Sequence, residues 1–150
     1  MKKVLILGGS SDIAYKLIPK LLNLGCSVTA HYSTNGKKLL SLSKRNKNLK
    51  IFKQNFSNLS DLRLKNFLKQ KTINNHDTII NLIGFMDNKT FSNTTIDQTI
   101  KSLKINTLIP NFIVRKNLNY MVKARYGRIL NCTSIGIKYS IDIKQDYPPF

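Results

Sequence analysis

Residues 4–14 read VLILGGSSDIA, a short apolar run followed at once by two glycines and a polar stretch. An uninterrupted apolar run of this length suits a strand that is buried on both faces of a parallel sheet. Beyond the glycines, apolar residues recur at helical spacing as far as Leu22, and Gly25 suits the end of that helix. Because Pro19 lies inside the helix, we expect a kink or irregular hydrogen bonding there. The stretch therefore predicts the first strand, turn and helix of an α/β fold.

The rest of the chain repeats this alternation of strand and helix. Further strands are predicted at 28–32, near 50–56, at 78–83 and at 128–132. Further helices are predicted at 37–44, after a cap at Ser57, Asn58 or Ser60, and from the capping box at Thr95 to about Met121, with an interruption at Pro110. Such an alternation favours an α/β fold with a parallel sheet and right-handed crossovers. We expect residues 1–137 to form this domain and residues 138–150 to form an irregular tail.

Length and composition limit the classes of protein to consider. A chain of 150 residues with 41% hydrophobic content is expected to form one globular domain. Its net charge of +18 raises the possibility of a nucleic-acid partner, but the basic residues are spread over most of the chain. The densest basic cluster, within 37–53, has few aromatic side chains for stacking on bases, so no nucleic-acid function is predicted.

The sequence predicts no export signal, no membrane span and no metal site. The apolar run that opens the chain is too short for a signal peptide, and no apolar segment reaches the length of a bilayer span, so we expect a cytoplasmic protein. The two cysteines, Cys26 and Cys132, lie far apart in apolar surroundings and lack the spacing of metal ligands. Both are predicted to be buried free thiols.

The glycine turn is the first candidate functional site. A strand that ends in glycines and opens a helix can bind a dinucleotide, because the helix directs its N–H groups and positive dipole end at the pyrophosphate. Gly8 would permit the tight turn, and Gly9 would let the backbone approach phosphate. An ordinary glycine turn without a ligand is an equally good interpretation of these residues alone.

The same turn resembles that of a known family, the short-chain dehydrogenases, whose pattern is T-G-x-x-x-G-x-G. Gly8 matches the first glycine of the pattern, whereas Asp12 and Ala14 replace the second and third. The resemblance implies a Rossmann-type, doubly wound parallel sheet. It also implies a nicotinamide cofactor bound at the turn by Gly8, Gly9, Ser10, Ser11, Asp12 and Ile13.

The resemblance also indicates which cofactor is used. Members that are specific for NAD carry an acidic residue at the end of the second strand, a position that falls at Tyr32, followed by Ser33. Hydroxyl groups here, with Lys37 and Lys38 just beyond, suit the 2′-phosphate of NADP(H), which is favoured over NAD(H). Asn55-Phe56 resembles the family's Asp-hydrophobic pair beside adenine.

Three further segments resemble the family's catalytic half. Asn81 and Gly84 match its N-N-A-G segment, which implies that both bind the cofactor and that Asn81 also braces the sheet. Asn106 matches the asparagine of the family's catalytic tetrad. The stretch GRILNCTS at 127–134 resembles the strand whose final serine polarises the substrate carbonyl, which assigns that role to Ser134. Tyr147 lies at a common interval after Ser134 and would be the general acid or base.

The tyrosine's partner lysine, in the pattern Y-x-x-x-K, would fall one residue past Phe150. We therefore expect an incomplete chain with about five of the seven strands of a family member of roughly 250 residues. A tyrosine beyond residue 150 is an equal alternative to Tyr147. The resemblance implies an oxidoreductase that acts on a small carbonyl or secondary alcohol and forms homo-oligomers at full length. The alternative is a non-catalytic nucleotide-binding module, and the extended relatives that act on sugar nucleotides fit the motifs less well.

Overall fold

The computed structural model describes residues 1–57, 59–85 and 93–133, and in these ranges five strands alternate with helices. The strands are β1 (Lys3–Leu7), β2 (Ser27–Tyr32), β3 (Leu49–Lys53), β4 (Thr78–Asn81) and β5 (Arg128–Asn131). The helices are α1 (Asp12–Asn23), α2 (Lys37–Arg45), α3 (Asp61–Leu68), α4 (Ile96–Leu103) and α5 (Ile109–Lys123), with a short 3₁₀ helix at Lys71–Ile73 and a π-helical turn at Lys104–Leu108. Every predicted strand and helix is present. β3 and β4 end earlier than predicted, so Phe56 and Ile83 lie in the loops that follow them.

The five strands form one parallel sheet in the order β3-β2-β1-β4-β5. The chain builds outward from β1 to β3 and then returns to the other side of β1 to form β4 and β5. This reversal is the defining feature of the doubly wound Rossmann-type sheet, which confirms the predicted fold class. It places the point where the strand order reverses between β1 and β4.

Apolar side chains cover both faces of the sheet, as the uninterrupted apolar run of β1 predicts. Leu5 and Leu7 point into one cluster, which α3 and α5 cover, while Val4 and Ile6 point into the other, which α1 and α2 cover. Successive side chains of a strand point to opposite faces, so one five-residue strand contributes to both layers of the core.

Local capping signals fix the ends of two helices. Ser11 caps α1, which continues through Pro19 to Asn23, and Gly25 follows with a positive φ of +75°. Among the predicted caps of α3, Ser60 is the one observed, and its hydroxyl accepts the N–H of Arg63. Asn58 lies outside the described residues.

The long helix before β5 contains the irregular turn that the sequence predicts near Pro110. The capping box of Thr95 and Gln98 opens α4, and α5 continues to Lys123. Between them, the N–H of Ile109 donates to the carbonyl of Lys104, five residues earlier. Pro110 has no N–H to offer the carbonyl of Asn106, so the regular i to i+4 pattern cannot continue through this point. The result is a π-helical turn that contains Asn106.

The exposure of β5 corrects one prediction. Cys26 is buried as expected, but Cys132 is exposed, and so are Ile129 and Leu130 of β5. Among the described strands, β5 pairs with β4 alone, so it forms an edge of the sheet there. An apolar sequence therefore did not imply burial at this edge.

Within the described ranges, no helix has both the length and the apolar character needed to cross a membrane.

Candidate functional site

A cavity of about 280 Å³ opens at the carboxyl ends of the strands, at the switch point between β1 and β4. Open α/β sheets bind their ligands at this place. The predicted site residues that line it are Gly8, Ser10, Ser11, Ser33, Asn55, Phe56 and Gly84. Sequence analysis missed the other lining residues, which are His31, Ser57, Leu82, Ile83, Phe85 and Ile105.

The two glycines of the turn are each required by a close approach to the sheet. Gly8 has a φ of +84°, and a Cβ at this position would lie 2.8 Å from the carbonyl oxygen of Leu82. A Cβ on Gly9 would lie 2.8 Å from the Cβ of Ala30, and the Gly9 N–H donates to the His31 carbonyl at 2.6 Å. The N–H of Gly9 is thus engaged by β2, and the absence of a side chain at Gly9 allows the turn to approach β2.

The first turn of α1 supplies backbone N–H groups that have no acceptor within the helix and can bind an anion. The Ser11 hydroxyl accepts the N–H of Ala14 at 3.2 Å, and the Ser11 N–H donates to the Gly8 carbonyl at 3.0 Å. The N–H groups of Asp12 and Ile13 lie in the first turn, where a helix provides no acceptor of its own. The Ile13 side chain is exposed, so its contribution to a ligand would come from the backbone.

His31 joins the glycine turn to the loop that follows β3. Its Nδ1 lies 3.2 Å from the backbone nitrogen of Gly8, and its Nε2 lies 2.7 Å from the carbonyl oxygen of Gln54. Because the Gly8 N–H can only donate and the carbonyl can only accept, Nδ1 must be unprotonated and Nε2 must carry the hydrogen. Burial lowers the pKa of His31 from its usual 6.5 to about 4, and the Gln54 carbonyl acts in the opposite direction. The ring is therefore neutral near pH 7.

The β3–α3 loop and the end of β2 form the far wall of the cavity. Phe56 is buried, and its ring centroid lies 4.6 Å from that of His31. Asn55 accepts the N–H of Ser57 through Oδ1 at 2.9 Å. Ser33 reaches the cavity, whereas the ring of Tyr32 packs against the buried Gly36. Tyr32 is thus placed at the end of β2, as predicted, but does not line the cavity.

A second cavity of about 290 Å³ lies on the other side of the glycine turn, and Gly9 and Ser10 belong to its lining. Lys37 and Lys38 line it from the start of α2. Asp12 lies in the same lining, so two lysines and one carboxylate share this cavity. The Nζ of Lys38 lies 5.5 Å from the centroid of the Tyr15 ring.

Asn81 and Gly84 have different positions at the end of β4. Asn81 is buried, accepts the N–H of Ile83 through Oδ1 at 3.3 Å, and accepts the N–H of Cys132 through its carbonyl at 3.0 Å. It braces the sheet, as predicted, but it does not line the cavity. Gly84 does line it, and a Cβ at Gly84 would lie 3.9 Å from Oδ1 of Asn106.

The side chain of Asn106 holds the loop that forms this part of the wall. Its Oδ1 accepts the N–H of Phe85 at 2.7 Å, and its Nδ2 donates to the carbonyl of Phe85 at 2.9 Å. Nδ2 also lies 3.1 Å from the hydroxyl oxygen of Ser102. The amide is thus engaged within the chain, beside the cavity but outside its lining.

Two predicted catalytic residues, Ser134 and Tyr147, lie outside the described residues. β5 ends at Asn131, which is level with Asn81 of β4. Within 1–57, 59–85 and 93–133, no three His, Cys, Asp or Glu side chains come together as a metal-binding group would require.

This cavity, at the switch point of a doubly wound sheet and bounded by a glycine turn and a helix amino terminus, has the position at which α/β proteins bind nucleotides. The sequence profile of the family described as short chain dehydrogenase matches residues 2–148. The chain therefore belongs to the short-chain dehydrogenase family.

Solved structures share the fold at low sequence identity. A 4-hydroxyisoleucine dehydrogenase complexed with NADH has a TM-score of 0.76 and 19% identity, over 99% of this chain and 60% of that one. A 3-oxoacyl (acyl-carrier-protein) reductase from Agrobacterium tumefaciens with NADP bound has a TM-score of 0.74 and 18% identity, over 90% and 53%. A short-chain dehydrogenase from Sphingobium yanoikuyae in complex with NADPH has a TM-score of 0.72 and 18% identity, over 90% and 54%. This chain thus corresponds to 53% to 60% of the length of these three proteins. No curated protein matches it.

Proposed function

We propose that this chain forms the NADP(H)-binding part of an oxidoreductase that interconverts a small-molecule carbonyl and a secondary alcohol. The observation that carries the proposal is the cavity at the switch point, which brings the glycine turn together with Ser33, Asn55-Phe56 and Gly84. These segments are distant in sequence, and the family resemblance implies that each contacts the cofactor. The proteins of the same fold with bound NADH, NADP or NADPH support a nicotinamide cofactor.

The residues around the cavity fit such a cofactor. The first turn of α1 offers N–H groups and the positive end of a twelve-residue helix to the pyrophosphate. Phe56 and Asn55 offer an apolar surface and an amide on the adenine side. The cofactor, when bound, supplies or accepts the hydride, while the protein has to bind it, orient it and exclude water.

The preference for NADP(H) over NAD(H) rests on charge. Residues 32 and 33 are Tyr and Ser, so neither position carries a carboxylate that would repel a 2′-phosphate. Lys37 and Lys38 line the adjoining cavity, where they could attract one. Asp12 in the same cavity opposes a phosphate, but the two lysines leave a net positive charge.

The chemical step needs a proton donor and a group that holds the carbonyl oxygen. By the family pattern, Ser134 would donate a hydrogen bond to this oxygen, and Tyr147, or a tyrosine beyond residue 150, would deliver a proton to it. The carbonyl carbon gains a hydride and the oxygen gains the proton, which gives the alcohol. Asn106 is the family's third catalytic position, and its side-chain amide would hold the loop of Phe85 beside the reacting groups. We further propose that the full-length protein is a homo-oligomer in the cytoplasm, with neither nucleic acid nor membrane as partner.

Cofactor binding by the 150-residue chain tests this proposal directly. Titration with NADPH and with NADH, followed by nicotinamide fluorescence, should give saturable binding with NADPH preferred. A turnover assay with a panel of ketones and aldehydes then separates an enzyme from a non-catalytic nucleotide-binding module. Binding without turnover supports the module, and failure to bind either nucleotide contradicts a cofactor site in this chain.

A further inference from the structure

His31 is a buried imidazole that contacts both walls of the nucleotide cavity, and no family motif assigns it a role in the predicted site. Its side chain is 2% exposed and lies between Phe52 and Phe56, with ring centroid distances of 5.4 and 4.6 Å. One nitrogen accepts from the glycine turn and the other donates to the loop after β3. A neutral imidazole combines an acceptor and a donor on opposite sides of one rigid ring, so it can join two backbone segments that each offer only one partner.

The same residue also holds the turn through its backbone. The carbonyl of His31 accepts the N–H of Gly9 at 2.6 Å, while its ring accepts the N–H of Gly8. Two consecutive N–H groups of the turn are therefore bonded to one residue of β2. The orientation of the next peptide groups, toward Ser10 and the start of α1, depends on these two bonds.

We infer that His31 is a positioning residue for the cofactor, because its ring fixes the glycine turn relative to the β3–α3 loop. The phosphate-binding wall and the adenine-binding wall are then held at a constant separation before the nucleotide arrives. His31 also lines the cavity, but its two ring nitrogens are bonded to the backbone of Gly8 and Gln54. A preformed cavity loses less conformational entropy on binding, so breaking this link should weaken affinity.

Three substitutions separate the two hydrogen bonds of the ring. In His31→Asn, the amide oxygen reaches about as far as Nδ1 and can still accept from Gly8, but the side chain is too short for Gln54. In His31→Gln, the amide nitrogen reaches about as far as Nε2 and can still donate to Gln54, but nothing accepts from Gly8. His31→Phe keeps an aromatic ring between Phe52 and Phe56 and loses both bonds.

Hydrogen exchange of the Gly8 amide, measured without nucleotide, reports on the link itself. We expect slow exchange in the unsubstituted chain and in His31→Asn, and faster exchange in His31→Gln and His31→Phe. The effect on NADPH affinity rests on the proposed function, whereas the effect on the Gly8 amide does not. The two hypotheses can therefore fail separately.

NADPH affinity completes the test. We expect His31→Phe to weaken binding by roughly tenfold, since the glycine turn is then no longer fixed relative to the β3–α3 loop before the nucleotide binds. His31→Asn and His31→Gln should fall between this variant and the unsubstituted chain. If His31→Phe does not fold, Gly8 exchange and NADPH affinity in His31→Asn and His31→Gln still test the inference. Equal Gly8 exchange and equal NADPH affinity in all folded variants would overturn the inference.

Discussion

The side chain of Asn117 joins α5 to the start of β4 through the backbone of His76. Oδ1 of Asn117 accepts the His76 N–H at 2.8 Å, and Nδ2 donates to the carbonyls of Ile73 and Ile113 at 2.8 and 2.9 Å. Asn117 is completely buried, and no water can replace these bonds from the surface. Two backbone groups outside α5, the N–H of His76 and the carbonyl of Ile73, are thus bonded to a single amide.

We therefore expect Asn117→Ala to lower the free energy of unfolding by about 3 kcal/mol, because buried backbone groups lose their partners. Denaturation by urea, monitored by far-UV circular dichroism, measures this change. Asn119→Ala is the matched control, since Asn119 is exposed on the same helix and should have little effect. Equal stabilities of the two variants would show that the amide of Asn117 is not needed.

Asn106→Ala should both destabilise the chain and weaken NADPH binding. The backbone N–H and carbonyl of Phe85 would lose the bonds they make with the Asn106 amide, at a cost of about 1–3 kcal/mol. Since Phe85 lines the cavity, its displacement should alter the nucleotide site as well. Thermal unfolding and NADPH titration check the two effects, with Asn111→Ala, exposed on α5, as the control. Unchanged affinity in a destabilised variant would limit Asn106 to a structural role.

Gly9→Ala and Gly84→Ala should differ sharply in stability. The new methyl group at Gly9 would meet the Ala30 Cβ at 2.8 Å, whereas at Gly84 its nearest neighbour would be Oδ1 of Asn106 at 3.9 Å. We expect Gly9→Ala to lose about 2 kcal/mol or more, because the turn must separate from β2. Gly84→Ala should unfold within about 1 kcal/mol of the unsubstituted chain. Similar melting temperatures for the two variants would contradict the close packing of the turn.

Stability should decline as the pH falls from 6.5 to about 4. The pKa of His31 is about 4 in the folded chain against 6.5 when unfolded, so the unfolded state takes up its proton first. The stability linked to His31 is thus present above pH 6.5 and is lost toward pH 4, by roughly 3 kcal/mol. Burial also lowers the pKa of His76, which adds to the loss in the same direction. The two groups bonded to the His31 ring, an N–H and a carbonyl, are uncharged.

Urea unfolding at several pH values between 4 and 7 measures this dependence. His31→Gln should show a smaller slope of stability against pH, because it removes one of the two groups whose pKa is lowered by burial. The two chains differ only at residue 31, so the difference between the two curves isolates His31. Parallel curves would contradict a buried neutral imidazole.

Ser33→Asp should reverse the preference between the two nicotinamide cofactors. A carboxylate at the end of β2, inside the cavity, would repel a 2′-phosphate and accept hydrogen bonds from the ribose hydroxyls of NADH. We expect NADPH to bind roughly tenfold more weakly and NADH to bind equally or more tightly. Ser33→Asn, which is similar in size and neutral, controls for the added bulk. A loss of affinity for both nucleotides in equal measure would argue against a 2′-phosphate at this position.

Local signals in the sequence predicted much of this structure. The capping box at Thr95, the cap at Ser60 and the glycine after α1 depend on residues only a few positions apart, and all three are observed. The apolar run of β1 correctly predicted a strand buried on both faces. The placement of Gly8, Ser33, Asn55 and Gly84 around one cavity followed from the family pattern and the parallel sheet.

Other features depend on contacts that no local pattern reveals. Cys132 and the apolar residues of β5 are exposed because burial requires a neighbouring element, and β5 lies at the edge of the described sheet. The sequence shows only that a histidine lies near the end of the predicted second strand, and this does not reveal what His31 contacts. Its bonds to Gly8 and Gln54 span 23 residues in each direction.

The sequence by itself determined the alternation of strands and helices, the ends of the helices and the family of the chain, because these depend on short-range periodicity, capping and ordered motifs. Only the tertiary structure decided that Gly9 packs against β2, that the Asn106 amide holds Phe85, and that His31 joins two walls of one cavity. Hydrogen-bond partners in a parallel sheet come from segments far apart in sequence. Their pairing is fixed only when the strand order brings those segments together.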